Sequence, residues 1–313
     1  MLRRISIALC ALWLLLGVSA LQGQTAKNQR IGILAASAAA ASEPNMEALR
    51  RRLAELGYRE GQNIVFESRT AEGKRERLPA LAAELVQLKL DAIIAVGTDA
   101  ALATEEATAS IPIIVVGGPA QPGGNVTGFT QPPRDIIGKL VGNLKEAAPR
   151  AKRVAILINT KDPGAGAMLE EGKAAASALG VKLEIAELAR AEDAAAAFAA
   201  IRKSKPDALV VTLSAPLPPK SAADFALKAR LPAIYERREF VEAGGLMSYS
   251  AKQPEMFRQA AGYVVRVLHG AKPASLPVAQ PTSFALVINQ KTAKALRLTI
   301  APALLKRADD IIK

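Results

Sequence analysis

Short, uninterrupted apolar runs alternate with amphipathic helical stretches along most of this 313-residue chain, and that alternation limits the folds open to it. Residues 30–36 (R-I-G-I-L-A-A) are short and continuously apolar, the pattern of a strand covered on both faces. Met46, Leu49, Leu53 and Leu56 then recur at helical spacing, and Gly57 is a suitable stop. Residues 63–68 read as a second strand, and Leu78, Leu81, Leu85 and Leu88 as the next helix face. Residues 91–97 and 111–118 are again buried strands, separated by a helix over 100–107.

The pattern restarts after Pro149, with strands at 152–159, 181–188, 207–214 and 231–235 and helices at 165–179, 192–203 and 222–229. Strands separated by helices pair in parallel through right-handed crossovers, which puts helices on both sheet faces. Two such runs, joined near residues 130–149, predict an α/β chain of two doubly wound parallel-sheet lobes. The last quarter adds a short strand at 246–250 and an apolar helix stripe of Met256, Ala260, Val264 and Leu268 ending at His269-Gly270. A Pro-rich connector from Pro273 to Pro281 leads to a strand at 284–289 and short helices around 291–296 and 303–312. A connector of this kind after a long helix predicts more than one crossing between the lobes.

The N-terminus has the layout of a secretory signal peptide over residues 1–20. Arg3 and Arg4 precede an apolar run at 5–18, and Val18 and Ala20 occupy the −3 and −1 positions of a cleavage site. The run is short for a membrane span, and the alternative is a buried N-terminal helix. Leu9 is too bulky for Cys10 to be a lipoprotein cysteine. Cys10 and Trp13 leave with the leader, so the mature chain carries no disulfide, cysteine nucleophile or thiolate metal site.

The formal charge of +12 is spread among acids, as in Arg59-Glu60 and Lys74-Arg75-Glu76-Arg77. With four Tyr and seven Phe, the chain lacks the interleaved aromatic platforms of a nucleic-acid groove, so no nucleic-acid partner is expected. The charge describes a basic solvated surface that would at most draw in an anionic small molecule. His269 stands at a helix end, where a cation is favourable in its own right. Zinc and Cys/His catalysis are thereby disfavoured. Gly117-Gly118 and Gly123-Gly124 read as turn glycines. Gly164 and Gly166 are followed by Leu169 where a third phosphate-loop glycine would stand, and no serine occupies a G-x-S-x-G elbow. Glu170-Glu171 and Asp309-Asp310 read as exposed helix surface. The expectation is a protein that is not an enzyme and uses no cofactor or metal.

In parallel sheets, ligands bind beyond the carboxyl ends of the strands. That rule selects Ser37 after the first strand, Thr98 and Asp99 after the third, Asn159, Thr160 and Ser214 in the second lobe, then Tyr235 beside Glu236, and Tyr249. Thr98 or Asp99 serves either as a helix cap or as a ligand contact. Ser37 is a loop polar or a contact, and Asn159 a turn residue or a contact. The two tyrosines are rim aromatics or half-buried packing. Helix N-termini at such an edge favour a ligand that carries a carboxylate.

Four stretches carry a family resemblance: 78–86 (L-P-A-L-A-A-E-L-V), 122–128 (P-G-G-N-V-T-G), 238–249 (R-E-F-V-E-A-G-G-L-M-S-Y) and 284–289 (F-A-L-V-I-N). Together they resemble the tryptophan/phenylalanine-type ABC substrate-binding family over nearly all of the mature chain, most specifically at 242–249. The resemblance implies a type I periplasmic-binding fold with lobes of 27–130 plus 251–275 and 131–250 plus 276–313, joined by a hinge. The helix at 253–269 would return to the first lobe, and the strand at 284–289 would join the second. It also implies a monomer in the periplasm whose lobes close on a small organic ligand and deliver it to an inner-membrane ABC permease. The ligand would be an amino acid or an aromatic or carboxylate compound. Ser37, Thr98, Asp99, Asn159, Ser214, Tyr235 and Tyr249 match segments that line the family's cleft. Two other readings share the fold: a periplasmic ligand-sensing module and, least favoured, an enzyme. The segment before Pro122 is shorter than the family's usual length, and the alanine run at 38–41 is bare of polar groups.

Overall fold

The computed structural model describes residues 28–38, 40–118, 124–130, 135–162 and 164–313. The expected leader, with Cys10 and Trp13, and the Pro122-Gly123 part of the family motif lie outside the described residues. The chain forms two compact units. One ends at Gly128 and takes back Phe257–Pro277; the other comprises Phe129–Met256 and Val278–Lys313.

The first unit runs β1 (Gln29–Ala35), α1 (Glu43–Glu55), β2 (Ile64–Thr70), α2 (Leu78–Gln87), β3 (Ala92–Val96), α3 (Thr98–Ala107), β4 (Ile113–Val116) and β5 (Val126–Phe129). The strand order is β2-β1-β3-β4-β5. β1 pairs in parallel with both β2 and β3, Ile31 lying level with Phe66 on one side and Ala92 on the other, and β3 pairs in parallel with β4. β3 and β4 are buried at every position, which explains why their sequences show no alternation. Leu49 and Leu53 of α1 and Leu78 and Leu85 of α2 supply the buried helix faces. Gly128 in β5 is obligatory. Its φ is +126°, and a Cβ there would stand 2.2 Å from the carbonyl oxygen of Val115.

The second unit runs α4 (Ile136–Ala147), β6 (Arg153–Ile158), α5 (Ala165–Ala178), β7 (Lys182–Glu187), α6 (Ala194–Ser204), β8 (Ala208–Val211), α7 (Pro219–Lys228), β9 (Ala233–Tyr235), α8 (Glu239–Glu242) and β10 (Met247–Ala251). Then come α9 (Gln253–Leu268), which belongs to the first unit from Phe257 onward, β11 (Phe284–Asn289), α10 (Gln290–Ala295), α11 (Pro302–Arg307) and β12 (Asp310–Ile312). The seven strands lie in the order β12-β11-β10-β9-β8-β6-β7. Their residues divide between two cores, one on each sheet face. Val154, Ile156 and Ile158 of β6 pack under α4 and α5, while Ala155 and Leu157 face Ala197 and Ile201 of α6 and Phe225 of α7. That two-residue alternation between buried faces is the doubly wound arrangement expected from the sequence.

The structure corrects several expectations. The stretch at 130–149, read as a join, contains α4, whose Ile136, Ile137, Leu140, Val141 and Leu144 are core residues of the second unit. Within it, a Cβ on Gly138 would stand 2.8 Å from that of Ala175 in α5, so that glycine permits close helix packing. Residues 310–312, expected to continue a helix, form β12, parallel to β11. Asp309 is therefore not on a helix surface. It accepts the N–H of Leu286 at 2.9 Å and pairs with Lys252 at 2.7 Å. β10 and β11 are antiparallel, an exception to the otherwise parallel pairing around them. On α9 the buried stripe runs through Met256, Phe257, Ala260, Ala261, Val264 and Val267, with Leu268 only half-buried.

Candidate functional site

In each unit the groups of interest stand at the carboxyl ends of parallel strands, where side chains leave the sheet and helices begin. In the first unit, the chain leaves β1 through a turn in which the Ser37 hydroxyl accepts the Ala40 N–H at 3.3 Å. It leaves β3 through Gly97, whose φ of +87° turns the backbone directly into α3. Gly97, not Thr98, is thus the N-cap residue, and the expectation that Thr98 caps the helix is corrected: Thr98 is its first residue. Asp99, in the first turn, pairs with Arg75 at 2.9 Å, and Arg75 has 69% of its side chain exposed. Ser37, Thr98 and Asp99 are all half-buried.

In the second unit, β6, β8 and β9 are successive neighbours, and their ends form one hydrogen-bonded array. The N–H of Asn159 donates to the Ser214 hydroxyl at 3.3 Å, and that hydroxyl lies 3.2 Å from the Thr212 hydroxyl. Thr212 in turn donates to the Leu157 carbonyl at 3.1 Å. The Asn159 side chain accepts the Lys161 N–H at 3.0 Å, shaping the turn that follows β6. Thr160 is exposed and donates to Glu187 at the end of β7. The structure therefore brings Asn159 and Ser214 into contact and places Thr160 beside them in sequence.

The other two candidates lie elsewhere. Tyr235 is fully buried, stacks on Phe240 with ring centroids 4.9 Å apart, and directs its hydroxyl to the Ala222 carbonyl over a long 3.5 Å. Desolvation pushes its phenol up from the ordinary value. It is a core residue, and its reading as a rim aromatic is corrected. Tyr249 pairs across from Leu286 and stacks on Phe284, centroids 5.3 Å apart. Its ring lines a shallow groove of about 480 Å³ with Lys139, Asn143 and Arg307, on the α4 face of the sheet.

Glu236, which the strand-end rule places beside Tyr235 without giving it a role, is the residue that the structure brings forward. It follows β9 directly, is only 4% exposed, and accepts the Leu213 N–H at 2.8 Å. It thereby joins the segment that carries Thr212 and Ser214. Burial pushes its carboxyl up to about 7; the Leu213 N–H and Arg237 pull it back, and Asp162 adds to the rise. Arg237, the next residue, lays its guanidinium over the Phe240 ring at 4.9 Å. The available signal was an acid placed immediately after an apolar strand, L-P-A-I-Y-E at 231–236. Among the described residues, no group of three His, Cys, Asp or Glu side chains is placed to hold a metal ion.

A family model described as ABC transporter substrate binding protein matches residues 30–312. A tyrosine-binding protein of Clostridioides difficile (strain R20291) is 24% identical over 263 residues, 79% of this chain and 74% of the relative. Among solved structures, the ABC domain in complex with L-Trp from Streptococcus pneumonia is 26% identical with a TM-score of 0.76, covering 91% of this chain and 100% of that one. A conserved domain protein from Vibrio cholerae O1 biovar eltor is 27% identical with a TM-score of 0.75 at the same coverage. With that match running from β1 to β12 over two doubly wound units, the chain belongs to the ABC transporter substrate binding protein family.

Proposed function

We propose that this chain is the solute-capturing component of an ABC importer, taking up an amino acid with an aromatic side chain and passing it to an inner-membrane permease. The expected leader at 1–20 would deliver it to the periplasm, where it acts as a monomer. The observation that carries this reading is the array at the ends of β6, β8 and β9, in which Asn159, Ser214 and Leu213 are tied together and reach Glu236. Polar groups held by one another in advance lose little conformational freedom when a ligand arrives. Ser37, Thr98 and Asp99 of one unit and Asn159, Thr160 and Ser214 of the other are the ligand contacts in this proposal. Gly97 puts no side chain over the start of α3, where backbone N–H groups and the helix dipole suit a ligand carboxylate. Tyrosine and L-Trp, the ligands named for two of the similar proteins, support an aromatic amino acid.

A thermal-shift screen of the amino acids and aromatic carboxylates, followed by calorimetric titration, tests the proposal. A ligand at a hundred times its Kd stabilises the folded protein by about 2.7 kcal/mol, a readily measured rise in Tm. Tryptophan or tyrosine is expected to give that rise. No shift with any amino acid at millimolar concentration would overturn the reading.

A further inference from the structure

We infer that Glu236 is the group that recognises the ligand's ammonium, and so sets a preference for amino acids over the corresponding plain carboxylates. The inference rests on the amino-acid reading above and deepens it. It starts from position: Glu236 ends β9, one strand from Ser214 and two from Asn159, at the edge where parallel sheets take their ligands. One carboxylate oxygen is held by the Leu213 N–H at 2.8 Å, which fixes the group's orientation within the array.

A purely structural role does not require an acid here. Accepting one backbone N–H is done equally well by an amide oxygen, and a buried carboxylate costs far more to desolvate than a buried amide. The charged groups acting on Glu236 are Arg237, which follows it, and Asp162 in the turn after β6. Arg237 also spends its guanidinium face on Phe240, 4.9 Å away, and the Asp162 carboxylate adds negative potential where Glu236 already lies. A ligand ammonium placed against Glu236 relieves both acids at once. An analogue without that ammonium gains nothing from Glu236, which then either stays ionised and uncompensated or takes up a proton, and a site of this kind discriminates strongly against such analogues.

The test compares L-tryptophan and L-tyrosine with indole-3-propionate and 3-(4-hydroxyphenyl)propionate, their analogues without the amino group, by titration calorimetry on the wild type and on Glu236→Gln. Glutamine keeps an oxygen for the Leu213 N–H, so the variant is expected to melt no lower than the wild type. The wild type is expected to prefer the amino acids by roughly a hundredfold or more, and Glu236→Gln to lose most of that preference by binding the amino acids more weakly. A mutation-free measurement stands beside it. Wild-type affinity for tryptophan is expected to fall by about tenfold per pH unit below ~7, with no such fall for the analogue. Retention of the full preference in Glu236→Gln overturns the inference and leaves the amino-acid reading intact. So does an affinity for tryptophan that rises on acidification, which would mean that a protonated Glu236 donates to the ligand's carboxylate. A wild type that binds neither amino acid removes both.

Discussion

The two units present their strand ends with different chemistry. In the first, the edge is made by backbone: Gly97 turns β3 into α3, and Gly128 lets β5 approach Val115. Its charged pair joins the half-buried Asp99 to Arg75, whose side chain is 69% exposed. In the second unit the edge is made by side chains, the Thr212–Ser214–Asn159 array and the buried Glu236. Backbone groups offer any carboxylate much the same reception. Buried side chains with fixed partners discriminate, because a ligand that fails to match them leaves polar groups unsatisfied. On the proposed reading, general anchoring falls to strand ends of the first kind and selectivity to those of the second.

The largest expected effect tests the backbone half. Gly128→Ala drives a Cβ into the Val115 main chain at a φ of +126°, and neither can move aside without breaking the pairing of β4 and β5. Equilibrium denaturation is expected to show a loss of about 3 kcal/mol or more.

Next comes the charge buried in the second unit. Glu236 is raised from 4.5 to about 7 in the folded protein, so between those values the native state holds more proton than the unfolded chain. Its favourable contribution is complete below pH 4.5, is lost as pH rises towards 7, and is gone above that. Denaturant unfolding at pH 5 and pH 8, with no ligand present, is expected to show Glu236→Gln gaining on the wild type by up to about 3 kcal/mol at the higher pH. Equal pH dependence in the two proteins would show that Glu236 is ionised normally and would erase the contrast between the units. A variant that is more stable yet poorer at binding fits a group retained for function rather than for folding.

A smaller effect is expected for Ser214→Ala, which leaves the Asn159 N–H without its acceptor. The stability cost is about 1 kcal/mol, with tryptophan affinity falling alongside it in the same titration. Smallest is Asp99→Asn. Its partner Arg75 is 69% exposed, so unfolding measurements are expected to move by no more than about 0.5 kcal/mol. A loss above 1 kcal/mol there would mean that the first unit also depends on a desolvated charge.

Legibility in the sequence followed burial on both faces. β3, β4 and the core of β6 are continuous apolar runs because helices cover them above and below, so they were readable without any partner in view. α4 was not, because its packing against α5 depends on one glycine from each helix. A Cβ on Gly172 would stand 2.5 Å from Ile137, and one on Gly138 would reach Ala175. β12 was missed because three residues become a strand only when β11 offers them an edge. At the strand ends, Ser37, Thr98, Asp99, Asn159 and Ser214 were placed correctly at the edge by counting strands. The roles within that edge were less readable, since Thr98 yields the cap to Gly97, Tyr235 turns into the core, and Tyr249 faces a groove on the α4 side.

The order of apolar runs and helix faces, by itself, determined an α/β chain with parallel sheets, because crossover sterics leave strands and helices in that order few other ways to bury their faces. Which acid is buried and which is solvated could be decided only by the tertiary structure. Asp99 and Glu236 both follow apolar strands within a few residues, yet one stays half-buried with the exposed Arg75 as its partner and the other is enclosed against Leu213. Burial depends on what neighbouring strands and helices bring from far along the chain, and no local pattern carries that information.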